Sequence, residues 1–200
     1  VRDAEWISNA ERAFDVLDTN FDDMVQHHAP SRATEIKLDE ASVGGGQPVI
    51  LNVTFAAAPG YESEIDPVVF ASGEGHLTYV NGAVIRGNGS ESVMIDEPAF
   101  LTGDRTVIPI IETRIRGSGV GGSGRVLIRT VVAQREVTNY TAAGTYDLTI
   151  NVTTSNTGAW KDYLDDRTTG TCSVVGDTVS CTHTAREVYL QETTIDVYFV

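Results

Sequence analysis

The chain begins with VRDAEWISNAERAFDVLDTNFDDMVQHHAP, residues 1–30, in which apolar residues recur at alternating steps of three and four. This spacing is a heptad repeat, and on an α-helix it forms one continuous apolar stripe along one side. Charged residues, most of them acidic, occupy the other sides of the predicted helix. Pro30 predicts its end, because the residue before a proline is displaced from the α-helical conformation. The stripe, called the helix seam below, comprises Ile7, Ala10, Phe14, Leu17, Phe21 and Met24.

A stripe this regular requires a covering surface, and the sequence leaves two alternatives open. The remainder of the same chain can bury the helix seam as part of one core. Alternatively, neighbouring subunits of an assembly can cover part of it, as helices do in coiled coils. The spacing alone does not distinguish an internal core from a subunit interface.

The composition indicates one globular domain that follows the helix. Of the 200 residues, 41% are hydrophobic, which suffices to bury most of the unfolded surface. We therefore divide the chain into an N-terminal helix, residues 1–30, and a β-rich head domain, residues 31–200. The net charge of −14 disfavours binding to nucleic acid and to anionic lipid, because both carry negative charge. High acid content with few lysines is also typical of proteins that work in concentrated salt, which suggests a halophilic source.

Several segments of the head domain show the alternation or the turn signals of β-strands. Residues 49–55 and 146–153 alternate apolar and polar side chains, and Asn81-Gly82 is a strong hairpin signal between two further strands. Pro109 predicts an edge strand or a bulge, because proline has no backbone N–H. The predicted fold class is therefore α+β, with a long N-terminal amphipathic α-helix packed on a mainly antiparallel β-sandwich head.

Two irregular stretches refine this prediction. The apolar phase changes from even positions at Val188 and Leu190 to odd positions at Ile195 and Val197, which predicts a bulge between them. The segment GSGVGGSG, residues 117–124, formally contains the glycine pattern of a dinucleotide-binding loop. A predicted strand follows it rather than the required helix, so we predict a mobile hairpin connection instead.

Cys172 and Cys181 flank a predicted hairpin whose turn is Gly176-Asp177. Folding two strands about this turn places residue 172 opposite residue 181, within disulfide range. We therefore predict a cross-strand disulfide. The alternatives are two buried thiols, or a zinc site that includes His183 but lacks a fourth ligand nearby. A structural disulfide indicates an extracellular, cell-surface location.

The sequence contains no catalytic set that we recognise, and we predict neither an enzyme nor a need for a cofactor or metal. It has no nucleophile elbow, Walker motif, paired zinc-binding histidines or EF-hand loop. A loose calcium site at Asp162, Asp165 and Asp166, on and after a predicted short helix, is a weaker alternative. On so acidic a chain we interpret adjacent acidic residues as solvated surface; the pairs are Asp22-Asp23, Asp96-Glu97 and Asp165-Asp166.

Glycosylation sequons of the form N-x-S/T are more frequent than chance predicts. Eight Asn and 35 Ser and Thr residues would give roughly 1.4 such sites at random, and the chain has four. Glycosylation of an exported protein explains the excess, although the preference of β-strands for threonine is an alternative explanation. The strand alternation places Asn52 and Asn151 on the outward side. The predicted sites are Asn52, Asn88, Asn139 and Asn151.

A set of longer segments carries a family resemblance. These segments are NAERAF (9–14), APSRATEIKL (29–38), GAVIR (82–86), PAF (98–100), TVIPII (106–111), AWK (159–161) and IDV (195–197). They resemble the type IV pilin-like surface proteins of halophilic archaea, the archaeal pilin and archaellin type. The similarity extends over most of the chain and is carried by the whole set of segments.

The resemblance implies a subunit of an extracellular filament that is often glycosylated. In such proteins an apolar N-terminal helix, trimmed by a prepilin peptidase, packs in the filament core, and a β-rich head faces outward. Residues 3–29 would be the amphipathic lower half of that helix, and its apolar first half would precede Val1. The implied partners are other pilin-like subunits, in homo- or hetero-oligomers, and contact with a membrane would come only through the upstream apolar segment. Adhesion to surface glycans is a further expectation.

The alternative function is a surface-anchored carbohydrate- or ligand-binding β-sandwich module. This function predicts exposed aromatic side chains that share one groove, and Tyr61, Tyr79 and Trp160 are the candidates. A hydrolase is a third and weaker hypothesis, because it requires a paired acid site that the sequence does not reveal.

Overall fold

The computed structural model describes residues 2–88 and 91–200, with the side chains of residues 7–88, 91–141 and 144–200. Within these ranges it has an α+β fold in which antiparallel strands predominate. The helices are α1 (Arg2–Gln26) and α2 (Thr157–Arg167). The strands are β1 (Ser31–Gly45), β2 (Val49–Phe55), β3 (Tyr61–Ile65), β4 (Val68–Ser72), β5 (Gly75–Val80), β6 (Ala83–Asn88), β7 (Glu91–Asp96), β8 (Arg105–Ile115), β9 (Val120–Thr153), β10 (Cys172–Val175) and β11 (Thr178–Phe199).

Two long strands, β9 and β11, form the centre of one eleven-stranded sheet. They pair antiparallel along the whole of β11. The other edge of β9 pairs with β1 and then with β2, while the other edge of β11 pairs with β10 and, in parallel, with β8. From β1 the sheet continues through β4, β5 and β6 to β7. All the described strands therefore belong to one sheet, and the two-sheet sandwich stays a prediction.

Helix α1 lies with its seam on this sheet. The seam residues are buried, and Phe14, Leu17, Phe21 and Met24 are wholly inaccessible to solvent. From Ala10 onward they form one core with apolar side chains of β1, β4, β5 and β6, and of the paired parts of β9 and β11. The sheet of the same chain, which is the first of the two alternatives, thus covers the helix seam.

The helix ends at Gln26, before the proline that was expected to end it. His28 adopts a left-handed φ of 60°, and the N–H of Ala29 donates to the carbonyl of Asp23 at 3.1 Å. A left-handed residue just after the last turn is a common way for a helix to stop, because it satisfies a terminal carbonyl and redirects the backbone. His28 rather than Pro30 therefore sets the end of α1.

A second core lies on the opposite face of the β5–β6 hairpin. It combines the inward positions of β2, the C-terminal part of β9 and the N-terminal part of β11 with those of α2. Trp160 and Leu164 of α2 are both buried, which confirms the predicted short helix with these residues on one side. The hairpin is buried on both faces, since Val84 belongs to the first core and Ile85 to the second.

The β5–β6 hairpin turns at Asn81-Gly82, as predicted. Both residues have positive φ, 51° and 80°, which the two-residue turn compatible with sheet twist requires. The Asn81 side chain also joins the turn to β8. Its Oδ1 accepts from the N–H of Ile111 at 2.7 Å, and its Nδ2 donates to the carbonyl of Pro109 at 3.3 Å.

Two predicted irregularities are confirmed in β8 and β11. Pro109 lies in β8, which pairs with β11 alone among the named strands, and an edge position tolerates a residue without an N–H. In β11 the register shifts between Thr194 and Ile195. This bulge turns Ile195 toward the first core, whereas Leu190 faces the second.

The glycine-rich segment 117–124 is not a hairpin connection, so that prediction is wrong. The strands on its two sides do not pair with each other: β8 pairs with β11, whereas β9 begins at Val120 and pairs with β1. A side chain at Gly119 would lie 2.8 Å from the carbonyl oxygen of Val43, so glycine permits the close approach of these segments. Residues 120–124 of this segment belong to β9 because they pair with β1, a strand that is distant in the sequence.

Candidate functional site: the helix and the surfaces around it

The helix seam is an internal surface of this protein. Phe21 stacks on Tyr79 of β5, with ring centroids 4.3 Å apart and ring planes 12° from parallel. On the outer face of α1, by contrast, Val16 is 52% exposed. The seam therefore holds the helix to the head, and any contact that this part of the helix makes with another subunit would use the outer face.

A stripe of carboxylates runs along one side of α1 at helical spacing. Burial raises the pKa of Asp18 to about 7, and the charges of Asp22, Asp96 and Asp15 add to the rise. Burial also raises the pKa of Asp22. The stripe comprises Glu11, Asp15, Asp18 and Asp22.

The interpretation of adjacent acidic residues as solvated surface holds only in part. Asp22 and Asp96 are half-buried, and burial raises the pKa of both carboxyls. Asp23 differs, because hydrogen bonds from Arg32 at 3.1 Å and from His27 lower its pKa. Asp22 and Asp96 are partly buried because the sheet approaches the helix there. The spacing of residues along the sequence does not predict this approach.

Two of the predicted glycosylation sites lie side by side in the sheet. Asn52 of β2 and Asn151 of β9 are directly paired, and the Asn151 amide donates to Asn52 Oδ1 at 3.1 Å. Side-chain hydrogen bonds extend from this pair to the neighbouring strands on both sides. Asn52 Nδ2 donates to Glu62 at 3.2 Å, and Ser180 Oγ donates to Asn151 at 2.7 Å. Both asparagines face away from the core, and each amide nitrogen already donates one hydrogen bond.

The other two predicted glycosylation sites are exposed. Asn139 lies on β9, and its Oδ1 accepts from the Thr141 hydroxyl at 2.9 Å. Asn88 lies at the end of β6, and its sequon continues into residues 89 and 90, outside the described residues. Asn139 is therefore the more accessible site among those whose whole sequon the structure describes.

The predicted disulfide joins Cys172 of β10 to Cys181 of β11, with Cα atoms 4.1 Å apart. The register of the hairpin, 172 with 181 through 175 with 178, is the predicted one. Gly176 adopts a φ of 59° at the turn, which favours glycine. Spacing and turn chemistry sufficed to predict this disulfide, because the two strands and the turn of the hairpin follow one another directly in the sequence.

His183, the remaining zinc candidate, takes part in a buried hydrogen-bond network. Its Nδ1 accepts from the N–H of Thr169 at 3.2 Å, so Nε2 carries the proton and donates to Thr106 Oγ1 at 2.8 Å. Thr106 in turn donates to the carbonyl of Gly103 at 2.9 Å. Burial lowers the pKa of His183, and both contacts suit a neutral, structural imidazole.

The aromatic residues proposed for a shared groove do not form one, so that prediction is wrong. Tyr79 and Trp160 are buried in different cores. Tyr61 is half-buried, and its hydroxyl donates to Glu192 at 2.6 Å. Tyr79 and Trp160 are core residues rather than groove residues, and their positions in the sequence did not predict their burial.

A different aromatic group lies beside an open groove. Phe55 stacks on Tyr140 with ring centroids 4.4 Å apart, and Tyr146 packs edge-on against both. The adjoining groove of about 470 Å³ is lined by Phe55, Asp147 and several threonines. Sequence reasoning missed this group, because only the pairing of β2 with β9 brings residue 55 near residues 140 and 146.

The described residues contain no group of three or more His, Cys, Asp or Glu side chains arranged to hold a metal ion. At the suggested calcium site, Asp165 pairs instead with Lys161 on the same helix. Neither of the two described helices is both long enough and apolar enough to span a membrane.

These features define an α+β protein whose N-terminal helix packs on a large, mainly antiparallel sheet with a cross-strand disulfide. The chain belongs to DUF7289, a family of unknown function, whose profile matches residues 1–198. No curated protein and no solved structure matches the chain. The family profile spans both the N-terminal helix and the strands, so the two parts belong to the same family.

Proposed function

We propose that this chain is a structural subunit of an extracellular type IV pilus-like filament, or a pilin-like protein of the cell surface. The observation that carries the proposal is the packing of α1. An N-terminal helix of 25 residues is held to a β-rich body by one face, with its seam buried. The resemblance to pilin-like surface proteins implies this arrangement for the lower half of their helix.

A location outside the cell has separate support. The cross-strand disulfide suits an oxidising environment, and the net charge of −14 suits a head that stays soluble in concentrated salt. The exposed sequon at Asn139 is open to glycosylation. In this proposal the head, folded as a β-sandwich, faces outward from the filament.

Assembly in this proposal depends on surfaces that the head leaves uncovered. An apolar helical segment upstream of residue 1 would continue α1, anchor the subunit in the membrane and then pack in the filament core. The outer face of α1, where Val16 is 52% exposed, would contact neighbouring helices. No catalytic step is required, and the partners are other pilin-like subunits.

The first test is the N-terminus of the mature protein, read by mass spectrometry on surface material together with the coding region upstream of Val1. We expect a short basic leader, then about 20 apolar residues that continue the helix, with cleavage ahead of them. A mature chain without an apolar segment before residue 1 would contradict the proposal.

The second test is the exposed face of α1. Val16→Glu should leave the melting temperature of the chain unchanged, because the side chain is exposed, but should prevent filament formation seen by electron microscopy. Val175→Glu is the matched control, since Val175 is 78% exposed on β10, which contributes no side chain to the core beneath α1. Wild-type filament yield from the Val16→Glu variant would count against this interface.

A carbohydrate-binding module is the second candidate function. The observation that favours it is the group of Phe55, Tyr140 and Tyr146 beside the threonine-lined groove, since aromatic faces with nearby polar groups are typical of ligand sites. On a glycan array, Phe55→Ala should abolish any binding that the wild type shows, while the control Tyr198→Ala should retain it. A silent array for the wild type would eliminate this candidate.

A further inference from the structure

The groove beside Phe55 has a buried titratable group in its wall that the proposed function does not use. His183 lines this open groove of about 470 Å³, yet the residue is only 2% exposed. Because the ring borders the groove, a proton can reach it without unfolding of the chain. The ordinary pKa of histidine, 6.5, lies close to neutral pH, so the surroundings of the ring determine its charge there.

The hydrogen bonds around this ring suit only its neutral form. Nδ1 accepts from the Thr169 N–H at 3.2 Å, and the Thr169 hydroxyl lies 3.2 Å from the same nitrogen. That hydroxyl oxygen accepts from the N–H of Thr184 at 3.0 Å, so its own hydrogen is left to donate to Nδ1. On the other side of the ring, Nε2 donates to Thr106, whose hydroxyl donates to the Gly103 carbonyl. A proton added to Nδ1 would therefore face two donors and no acceptor.

Nδ1 of the ring holds the segment of residues 168–171, which connects α2 to β10. This segment lies along β11, where the Gly170 N–H donates to the Thr182 carbonyl at 3.0 Å and the Thr182 N–H donates to the Thr171 carbonyl at 3.2 Å. Thr169 and Gly170 also line the groove. The segment follows a helix at one end and leads into the disulfide-bonded β10 at the other. Both ends therefore stay anchored if the contact with the ring is lost.

The charged residues on the elements around the ring are either exposed or ion-paired, and the segment 168–171 has none. Arg105 pairs with Glu187 at 2.6 Å, and the exposed Asp147 accepts from the Thr184 hydroxyl at 3.2 Å. Burial lowers the pKa of His183, and a backbone hydrogen bond with Gly103 opposes this effect. These charged residues are Asp104 and Arg105 before β8, Asp147 of β9, and Arg186 and Glu187 of β11.

We propose that His183 is a pH switch: protonation of its imidazole releases the segment 168–171 from β11 and removes one wall of the groove, while the rest of the chain stays folded. Above the ordinary pKa of 6.5 the neutral ring contributes its full stabilisation of the segment. This contribution is lost as the pH falls through the lowered pKa of the folded state, because the charged ring can no longer accept at Nδ1.

The switch rests neither on the filament function nor on a ligand for the groove, and its test uses the full chain. NMR from pH 7.5 to pH 4 follows the imidazole signals and the hydrogen-exchange protection factors of single amides, which correct for the intrinsic effect of pH on exchange. We expect His183 to be the neutral Nε2–H tautomer at pH 7.5 and to titrate at a lower pH than the exposed His27. As it titrates, the protection of the Thr169 and Thr184 amides should fall at least about tenfold.

The Ile150 amide, on β9 between β2 and β11, is the internal control and should keep its protection. Equal loss at Ile150 would show that acid unfolds the whole head, and this result would overturn the proposal. A ring that stays neutral down to pH 4 would overturn it as well, as would unchanged protection of the Thr169 and Thr184 amides after the ring has titrated.

A variant without a titratable ring separates the switch from general effects of acid. In His183→Gln the protection of the Gly170 and Thr184 amides should be the same at pH 7.5 and pH 4.5. The matched control His27→Gln removes an exposed imidazole on α1 and should keep the acid response of the wild type. An acid response in His183→Gln equal to that of the wild type would refute the assignment. If His183→Gln does not fold, the titration of the wild type decides the question alone.

Discussion

At the residue scale, Asp18 shows that a residue on the polar side of a helix need not be solvated. Its helical spacing sets it apart from the seam, yet the approach of the β5–β6 turn removes part of its water. Its charged neighbours, Asp22, Asp96 and Asp15, disfavour ionisation further. The native state therefore binds a proton at Asp18 more tightly than the unfolded chain does.

This proton binding makes stability depend on pH. The pKa of Asp18 is raised from 3.8 to about 7, so its contribution to stability is fully present below pH 4 and is lost as the pH rises through 7. Asp18→Asn carries no charge, and at pH 8 it should exceed the wild type in free energy of unfolding by about 1–2 kcal/mol, after discounting for partial exposure. Chemical denaturation of both proteins at pH 3.5 and pH 8 measures this difference.

The same comparison contains its own control. Asp22 and Asp96, whose pKa values are also raised by burial, are present in both proteins, so the Asp18→Asn variant keeps the pH dependence that they contribute. The gap between the two proteins should largely close at pH 3.5, below the ordinary pKa of 3.8, where the Asp18 side chain is mostly protonated in both the native and the unfolded state. A gap that is equal at the two pH values would show that Asp18 titrates normally.

At the element scale, the C-terminal hairpin is an example of local determination. Its turn residues, its strand register and the pairing of Cys172 with Cys181 all follow from ten consecutive residues. Only its attachment to β9 and α2 depends on distant parts of the chain. The disulfide therefore constrains a short loop of the unfolded chain.

Removal of this constraint should lower stability by a moderate amount. The double variant Cys172→Ala/Cys181→Ala should lose about 2–3 kcal/mol of unfolding free energy, as expected for a loop of this length. The measurement is thermal unfolding with and without a thiol reductant. Reductant should lower the melting temperature of the wild type and leave the double variant unaffected; an equal response of both proteins would contradict the prediction.

At the scale of the whole molecule, the two cores share the β5–β6 hairpin. Val84 packs on the side of α1 and Ile85 on the side of α2. Long strands β9 and β11 also contribute to both cores. A disturbance of either core therefore reaches the other through common strands, and we expect the described chain to unfold as one cooperative unit.

Large-to-small substitutions in each core test this cooperativity. Leu17 of α1 and Leu164 of α2 are both 0% exposed, so Leu17→Ala and Leu164→Ala should each cost about 3 kcal/mol. Both variants should show a single transition, with coincident curves from far-UV circular dichroism and from tryptophan fluorescence. Separate transitions in the Leu17→Ala variant would show that the α1 side unfolds on its own.

Much of the fold could be predicted from the sequence where neighbouring residues decide it. The heptad steps of the seam, the alternation of β2, the Asn81-Gly82 turn and the cysteine hairpin all appear in the structure. The phase change before Ile195 also located a bulge correctly. Each of these features depends on the geometry of a helix or strand over a few residues, which spacing determines directly.

The tertiary structure alone decided which surface covers the seam and which groups form sites. The second half of the glycine segment, residues 120–124, lies in a strand because β1 pairs with it, and Phe55 contacts Tyr140 because β2 pairs with β9. The charge of Asp18 likewise acts on the Tyr79 phenol of a separate element and raises its pKa. Such contacts depend on the path of the whole chain and on the burial that it produces, so the local spacing of residues does not predict them.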